Sequence, residues 1–155
     1  MESSAPARVL IVAHRTAATP QLLSAVSERA SAGPAQFTLL VPRVAHGLHR
    51  VVDPEDTDDI EAQMVLELAL PLLEEAAGGP VEGKIGDPNP NDAVHDAMNA
   101  EGYDEIIIST LPARVSRWLR ADLPSKLKPL GVPITTVIAK SSRAAGRAEQ
   151  RASGN

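Results

Sequence analysis

The sequence contains no cysteine, which excludes disulfide bonds, zinc sites built from thiolates and cysteine nucleophiles. Aromatic residues are nearly as scarce, since only Phe37, Tyr103 and Trp118 are present. Hydrophobic residues nevertheless make up 43% of the chain. The core must therefore consist of Val, Ile, Leu and Ala, as is usual in parallel sheets covered by helices. A chain of 155 residues is long enough to bury such a core within one domain.

Long basic runs and long apolar runs are also missing. The formal charge is −5 and no basic run precedes the C-terminal tail, so duplex nucleic acid is not expected as a ligand. No apolar stretch approaches the roughly 20 residues that span a bilayer, and no membrane association is predicted. Residues 1–7 lack the basic and apolar regions of a signal peptide. We therefore expect a cytoplasmic location.

Five short apolar runs alternate with helical stretches along the chain. The runs cover residues 8–13, 36–41, 81–85, 105–109 and 133–138. The pairs Thr19-Pro20 and Asn89-Pro90 each combine an N-cap residue with a proline suited to the first helical position. Such alternation predicts an α/β protein with a parallel sheet and right-handed crossovers. We predict one domain over residues 1–140 and a disordered tail over residues 141–155, which are rich in Ser, Arg, Ala and Gly.

The second predicted helix carries a row of large apolar residues at four-residue spacing, which we expect to face the core. This row consists of Ile60, Met64, Leu68 and Leu72. Pro71 lies inside the same helix and removes one backbone donor, so we expect a bend or a break close to it.

The chain resembles the universal stress protein family over about residues 7–139. The resemblance is carried by residues 9–13 at the start, Gly86-Asp87-Pro88 before the third helix, residues 103–108 before and within the fourth strand, and residues 131–138 at the close. It implies a doubly wound five-stranded parallel sheet of order 3-2-1-4-5 with helices on both faces. The resemblance is to an actinobacterial type that lacks the usual ATP-binding glycine motif.

Many members of that family bind ATP through an Asp just after strand one and a Gly-x-x-Gly, nine residues, Gly-Ser/Thr pattern after strand four. Here His14 follows strand one, and Ser109 and Pro112 stand in the places of the first two glycines. If the loop is one residue shorter, Ala121-Asp122 stands in place of Gly-Ser, and we expect Asp122 to cap the last helix with its carboxylate. Because the sequence departs from the family pattern at these positions, we expect no cofactor, and ATP or AMP is not expected to bind well.

Ligands of open α/β sheets bind beyond the carboxyl ends of the strands where the winding direction reverses, here between strands one and four. An anion could be held there by side chains in place of a glycine loop. Alternatively, the arginines form a solvated helix face and the hydroxyls a simple strand end. Arg120 lies close by, and the candidate ligand-binding residues are His14, Arg15, Thr16, Val41, Ser109, Thr110, Arg114, Arg117 and Asp122.

No catalytic residue and no metal ligand is predicted. His46, His49 and Asp53 are of the types that bind metals, but their spacing matches no ligand motif. His14 could act as an acid or base, yet the sequence reveals no partner for it. No Ser-His-Asp constellation, carboxylate pair or Walker loop can be assembled from the chain. We therefore expect that the protein is not an enzyme.

Three functions remain open. The first is a small stress-response or regulatory binding protein with a degenerate nucleotide site, acting through an unknown protein partner or a small anionic ligand. The second is an ATP- or AMP-binding protein that uses Arg114, Arg117 and Ser109 in place of the glycine loop. The third is a small hydrolase or nucleotidyl-transferring enzyme. We also expect a homodimer through the edge strand Ile134–Ile138, unless the protein's own tail covers that edge.

Overall fold

The structure, a computed structural model, describes residues 5–43, 54–112 and 114–140. The strands are β1 (Ala7–Val12), β2 (Ala35–Pro42), β3 (Val81–Gly86), β4 (Glu105–Thr110) and β5 (Ile134–Ile138). The helices are α1 (Pro20–Ala32), α2 (Pro54–Ala77), α3 (Pro90–Ala100), α4 (Arg117–Arg120) and α5 (Leu123–Leu127), with a 3-10 turn at Lys128–Leu130. The expected tail and the histidines at 46 and 49 lie outside the described residues.

All five strands pair in parallel, in the order β3-β2-β1-β4-β5. This arrangement confirms the predicted doubly wound sheet. β1 occupies the centre, where Val9 lies opposite Phe37 of β2 on one side and Glu105 of β4 on the other. A strand that is paired on both edges and covered on both faces must be apolar throughout, and this explains the continuous run of aliphatic residues in β1.

Side chains of β1 alternate between two hydrophobic cores. Val9 and Ile11 point into the core beneath α1 and α2, whereas Leu10 and Val12 point into the core beneath α3 and α5. All four are completely buried. Helices therefore lie on both faces of the sheet, as predicted.

Two of the predicted helix starts are confirmed in atomic detail. The Thr19 hydroxyl accepts a hydrogen bond from the Leu22 amide at 3.4 Å, and α1 begins at Pro20. The Asn89 side chain accepts from the Asn91 amide at 2.9 Å. Each cap satisfies an amide that has no partner within its helix, and each fixes where the chain leaves the preceding loop.

The orientation predicted for α2 is wrong. Its expected core row is exposed to solvent, by 60% at Ile60, 56% at Met64, 71% at Leu68 and 42% at Leu72. A different row packs on the sheet and is buried, namely Ala62, Leu66, Ala69 and Leu73.

Close packing between α2 and β3 accounts for this choice of row. A Cβ atom placed on Gly83 of β3 would lie only 2.9 Å from Leu66 Cδ2. Small residues at 62, 69 and 83 let the helix approach the sheet more closely than a row of four large side chains would. Periodicity alone cannot distinguish two apolar rows on one helix, because both have helical spacing.

We expected a bend or a break near Pro71. The break does not occur, since α2 is one helix from Pro54 to Ala77, and a bend stays a prediction. Pro71 and Glu67 are both exposed. The Glu67 carbonyl, which loses its usual amide partner to the proline ring, therefore lies on the solvent side of the helix, where water can satisfy it.

Candidate functional site

The carboxyl ends of β1 and β4 lie side by side at the centre of the sheet, with β2 on the other side of β1. This is the reversal point at which doubly wound sheets bind ligands. A tight turn follows β1, in which the Ala17 amide donates to the His14 carbonyl at 3.2 Å. Ser109 and Thr110 end β4. The structure therefore brings these two candidate segments to the same edge of the sheet.

A buried hydrogen bond joins the two segments across the crevice. Ser109 Oγ donates to Thr16 Oγ1 at 2.7 Å, and the two residues are only 1% and 3% exposed. The Thr16 carbonyl also accepts from the amide of Thr19 at 3.2 Å and from its hydroxyl at 3.1 Å. Thr16 thus connects the end of β4 to the start of α1, and the two hydroxyls that were candidates for ligand binding satisfy each other.

Val41, the candidate residue from β2, is completely buried in the core shared with Ile11 and Ile107. Pairing between the neighbouring strands continues beyond their regular part, since the Ala13 amide donates to the Leu40 carbonyl at 3.2 Å. A ligand could reach the Val41 side chain only if this part of the core repacked.

The loop after β4 uses its own amides internally. The Pro112 carbonyl accepts from the amides of Val115 and Ser116, each at 2.9 Å. Ser116 in turn caps α4, because its hydroxyl accepts from the Leu119 amide at 3.1 Å. Thr110 is buried, and its hydroxyl donates to the Leu111 carbonyl at 2.8 Å. A phosphate cradle needs amides that point outward together, whereas two amides of this loop point at a carbonyl and Pro112 has none.

Four exposed arginines belong to the segments that follow β1 and β4 in the chain: Arg15, Arg114, Arg117 and Arg120. The Arg120 guanidinium donates to the Arg114 carbonyl, so part of its hydrogen-bonding capacity is used within the loop. Exposed guanidinium groups can form two parallel hydrogen bonds to an anion, and they lose rotamer freedom when they do so.

The cap expected from Asp122 is wrong. Asp122 precedes α5 in the left-handed conformation, with φ 57° and ψ 45°, and its side chain makes no capping hydrogen bond. An N-cap residue normally has an extended backbone, which directs its side chain at the first amides of the helix. Pro124 also removes one of those amides. The carboxylate therefore does not accept hydrogen bonds from the helix amides, and it does not compete with a phosphate for them.

His14 is partly buried at the end of β1. Burial lowers the pKa of its imidazole, Arg15 lowers the pKa further, and the Glu61 carboxylate on α2 opposes both by raising it. Nε2 is buried and has no hydrogen-bond partner among the described residues. The neutral imidazole is therefore favoured in the folded state.

A groove of about 300 Å³ lies between β2, β3 and α3. Its charged lining residues are Arg43, Lys84, Asp87 and Asp96. Gly86 forms part of its floor, and a Cβ atom there would lie 2.8 Å from Ala93 Cβ. Gly86-Asp87-Pro88 carried only the family resemblance in the sequence, and the groove was not predicted. The sequence feature that could have indicated the groove is a glycine at the end of a strand, directly before a capped helix.

The described part of the chain contains neither a cluster of metal ligands nor a membrane-spanning helix. Within residues 5–43, 54–112 and 114–140, no group of three or more His, Asp or Glu side chains could hold a metal ion. No helix in these ranges is both long enough and apolar enough to cross a membrane.

Comparisons with known proteins agree on the architecture. No model of a known protein family matches the sequence, and no curated protein matches it. Solved structures do match. A universal stress protein family protein from Arabidopsis thaliana with AMP bound is 15% identical, with a TM-score of 0.57 over 89% of this chain and 95% of that one. The universal stress protein from Archaeoglobus fulgidus in complex with dAMP is 16% identical, with a TM-score of 0.60 over 86% and 98%.

A universal stress protein family structure from Burkholderia pseudomallei gives the same result, at 15% identity and a TM-score of 0.60 over 84% of this chain and 95% of that one. The chain therefore has the doubly wound fold of universal stress proteins. This confirms the resemblance seen in the sequence at the level of the fold. The resemblance to an actinobacterial type of that family stays a prediction.

Proposed function

We propose that this protein is a small, non-catalytic regulatory protein of the stress response, with a degenerate nucleotide site, which acts through a partner protein or a small anionic ligand. The hydrogen bond between Ser109 and Thr16 carries the proposal, because it spans the crevice between β1 and β4 with both residues buried. In this fold, that crevice is the expected ligand site. Adenine nucleotides are bound in the plant and archaeal structures described above.

The loop after β4 supports the same conclusion. Its Val115 and Ser116 amides bond to the Pro112 carbonyl, so a phosphate would have to break an existing turn before it could use them. The exposed arginines could compensate only at the cost of ordering flexible side chains, whereas a preorganised glycine loop needs no such ordering. We therefore expect weak nucleotide binding or none.

One observation favours the alternative function, in which arginines hold ATP or AMP. Arg114, Arg117 and Arg120 are all exposed. They lie within seven residues of one another in the segment that follows β4. A nucleotide could bind with its phosphates on this surface while the crevice stays closed. Such a site would depend on guanidinium groups and weaken with salt.

Isothermal titration calorimetry with ATP and AMP distinguishes the two functions. For the unaltered protein we expect no dissociation constant below about 100 μM, which corresponds to roughly −5.5 kcal/mol. A low-micromolar constant that is lost in Arg114→Ala, but kept in the control Lys128→Ala, would overturn the proposal and establish the alternative.

We further propose that the protein is cytoplasmic and forms a homodimer through β5. This strand is an edge of the sheet, and Thr135, Thr136 and Ile138 on it are exposed. An uncovered edge presents unpaired amides and carbonyls that a second copy can pair with. Sedimentation tests this proposal, as described in the Discussion.

A further inference from the structure

Helix α2 exposes a continuous row of aliphatic side chains, which we call the α2 row: Ile60, Met64, Leu68 and Leu72. With a rise of 1.5 Å per residue, the row extends over roughly 18 Å along the helix. Single exposed aliphatic residues are ordinary on protein surfaces, but four in one line form a contiguous patch of the kind that marks interaction sites. The buried row of α2 already covers the sheet, so the fold itself does not require the α2 row to be apolar.

The charged residues of α2 itself have one sign only. Helix α2 contains eight Asp and Glu residues and no Lys or Arg. Glu67 is exposed next to Met64 and Leu68 on the helix surface, and Glu75 is exposed one turn beyond Leu72. The surface therefore combines an apolar centre with an acidic border, and it complements an apolar ridge that has a basic border.

The chain's own tail does not have that character. Residues 141–155 contain three arginines but no Val, Ile, Leu, Met or aromatic residue. The tail could neutralise charge near α2, but it offers no large side chain to cover an aliphatic row.

A second copy of the protein is also a poor match. The other large hydrophobic residues exposed in the described part of the chain are Val115 and Ile138. They belong to different segments and do not form a second row on one element. Among the residues that the structure describes, a second copy therefore offers only its own α2 row to cover this one. Two helices that carry acidic residues and no basic ones would then face each other, and like charges at an interface oppose association.

We infer that the α2 row binds an amphipathic helix of a partner protein, with apolar residues at positions i, i+3, i+4 and i+7 and Lys or Arg beside them. Recognition of an amphipathic helix through such anchors is a common mode of peptide binding. The inference rests on the partner binding proposed above and names its surface. The acidic border of α2 selects basic helices and speeds their association at low salt.

The test uses the full chain and a synthetic, fluorescently labelled helical peptide of about 15 residues, with Leu at the anchor positions and Lys at most others. A matched peptide carries Glu in place of each Lys. Anisotropy titrations should show the Lys peptide binding at least about tenfold more tightly than the Glu peptide, with the difference shrinking at high salt. The double variant Met64→Gln/Leu68→Gln should weaken binding of the Lys peptide by at least about tenfold, as loss of central anchors does. The matched control Val115→Gln should leave it unchanged.

Three outcomes would overturn the inference. Equal affinity of the Lys peptide for the double variant and for Val115→Gln would show that the peptide binds elsewhere. No binding of the Lys peptide would show that the row does not accept a basic amphipathic helix. A drop in sedimenting mass in the double variant would show that a second copy covers the row. Thermal unfolding checks that the double variant is folded, since substitutions at exposed positions should move Tm by no more than about 2 °C. The result does not depend on the calorimetry with nucleotide, so either proposal can fail alone.

Discussion

The hydrogen bond between Ser109 and Thr16 should be worth enough to measure by a double-mutant cycle. The changes are Ser109→Ala, Thr16→Val and the two together. Ser109→Ala leaves the buried Thr16 hydroxyl without its donor, and an unsatisfied buried group costs about 1–3 kcal/mol. Thr16→Val leaves the Ser109 hydroxyl only its longer hydrogen bond to the Thr16 carbonyl, at 3.4 Å. The double substitution removes both polar partners, so it should cost no more than the larger single effect. The resulting coupling energy should be about 1 kcal/mol.

Urea unfolding followed by circular dichroism measures these free energies. A control cycle pairs Ser109→Ala with Thr38→Val, another buried threonine. Strand spacing and register place Thr38 roughly 14 Å from Ser109, so the control should be additive within about 0.5 kcal/mol. If the costs of the Ser109 and Thr16 substitutions are equally additive, the bond does not hold the crevice closed, and the main support for the proposed function is lost.

Three further predictions concern packing, pH and assembly. Gly86→Ala should destabilise the protein by about 1–3 kcal/mol in urea unfolding, because the new methyl group meets a Cβ atom that cannot rotate away. The methyl group added by Gly83→Ala meets only the ends of leucine side chains, so this substitution should lower the free energy of unfolding by less. Equal losses for the two substitutions would refute the packing argument. The pKa of the His14 imidazole is lowered in the folded state. The stability that the neutral imidazole contributes is therefore fully present above the unfolded-state pKa of about 6.5 and falls as the pH drops below that value. His14→Gln should therefore lose less stability than the wild type between about pH 7.5 and pH 5. In analytical ultracentrifugation at micromolar concentration, the protein should sediment at twice its monomer mass and Thr136→Pro should reduce that mass; a monomer at high concentration would exclude the β5 interface.

Much of the fold is determined by local features of the sequence. Alternating apolar runs and helical stretches dictate parallel strands with right-handed crossovers. Thr19 and Asn89 place two helix starts, because a polar side chain followed by proline favours that geometry regardless of what packs nearby. The sequence also determines that Pro112 offers no amide to a ligand, since proline has none wherever the loop lies.

Other features depended on the tertiary structure. The sequence contains two apolar rows on α2, and only the fit of Ala62, Leu66 and Ala69 against Gly83 decides which one faces the sheet. Small residues gain stability by letting elements approach closely, and that gain cannot be read from a hydrophobic pattern.

The candidate site shows the same division. Residues separated by 93 positions, Thr16 and Ser109, become hydrogen-bond partners because two parallel strands end side by side. Asp122 is a good capping residue by type, but its left-handed backbone turns the carboxylate away from the helix. Residue type states what a side chain is able to do. The backbone conformation and the neighbours supplied by the fold decide whether it does so.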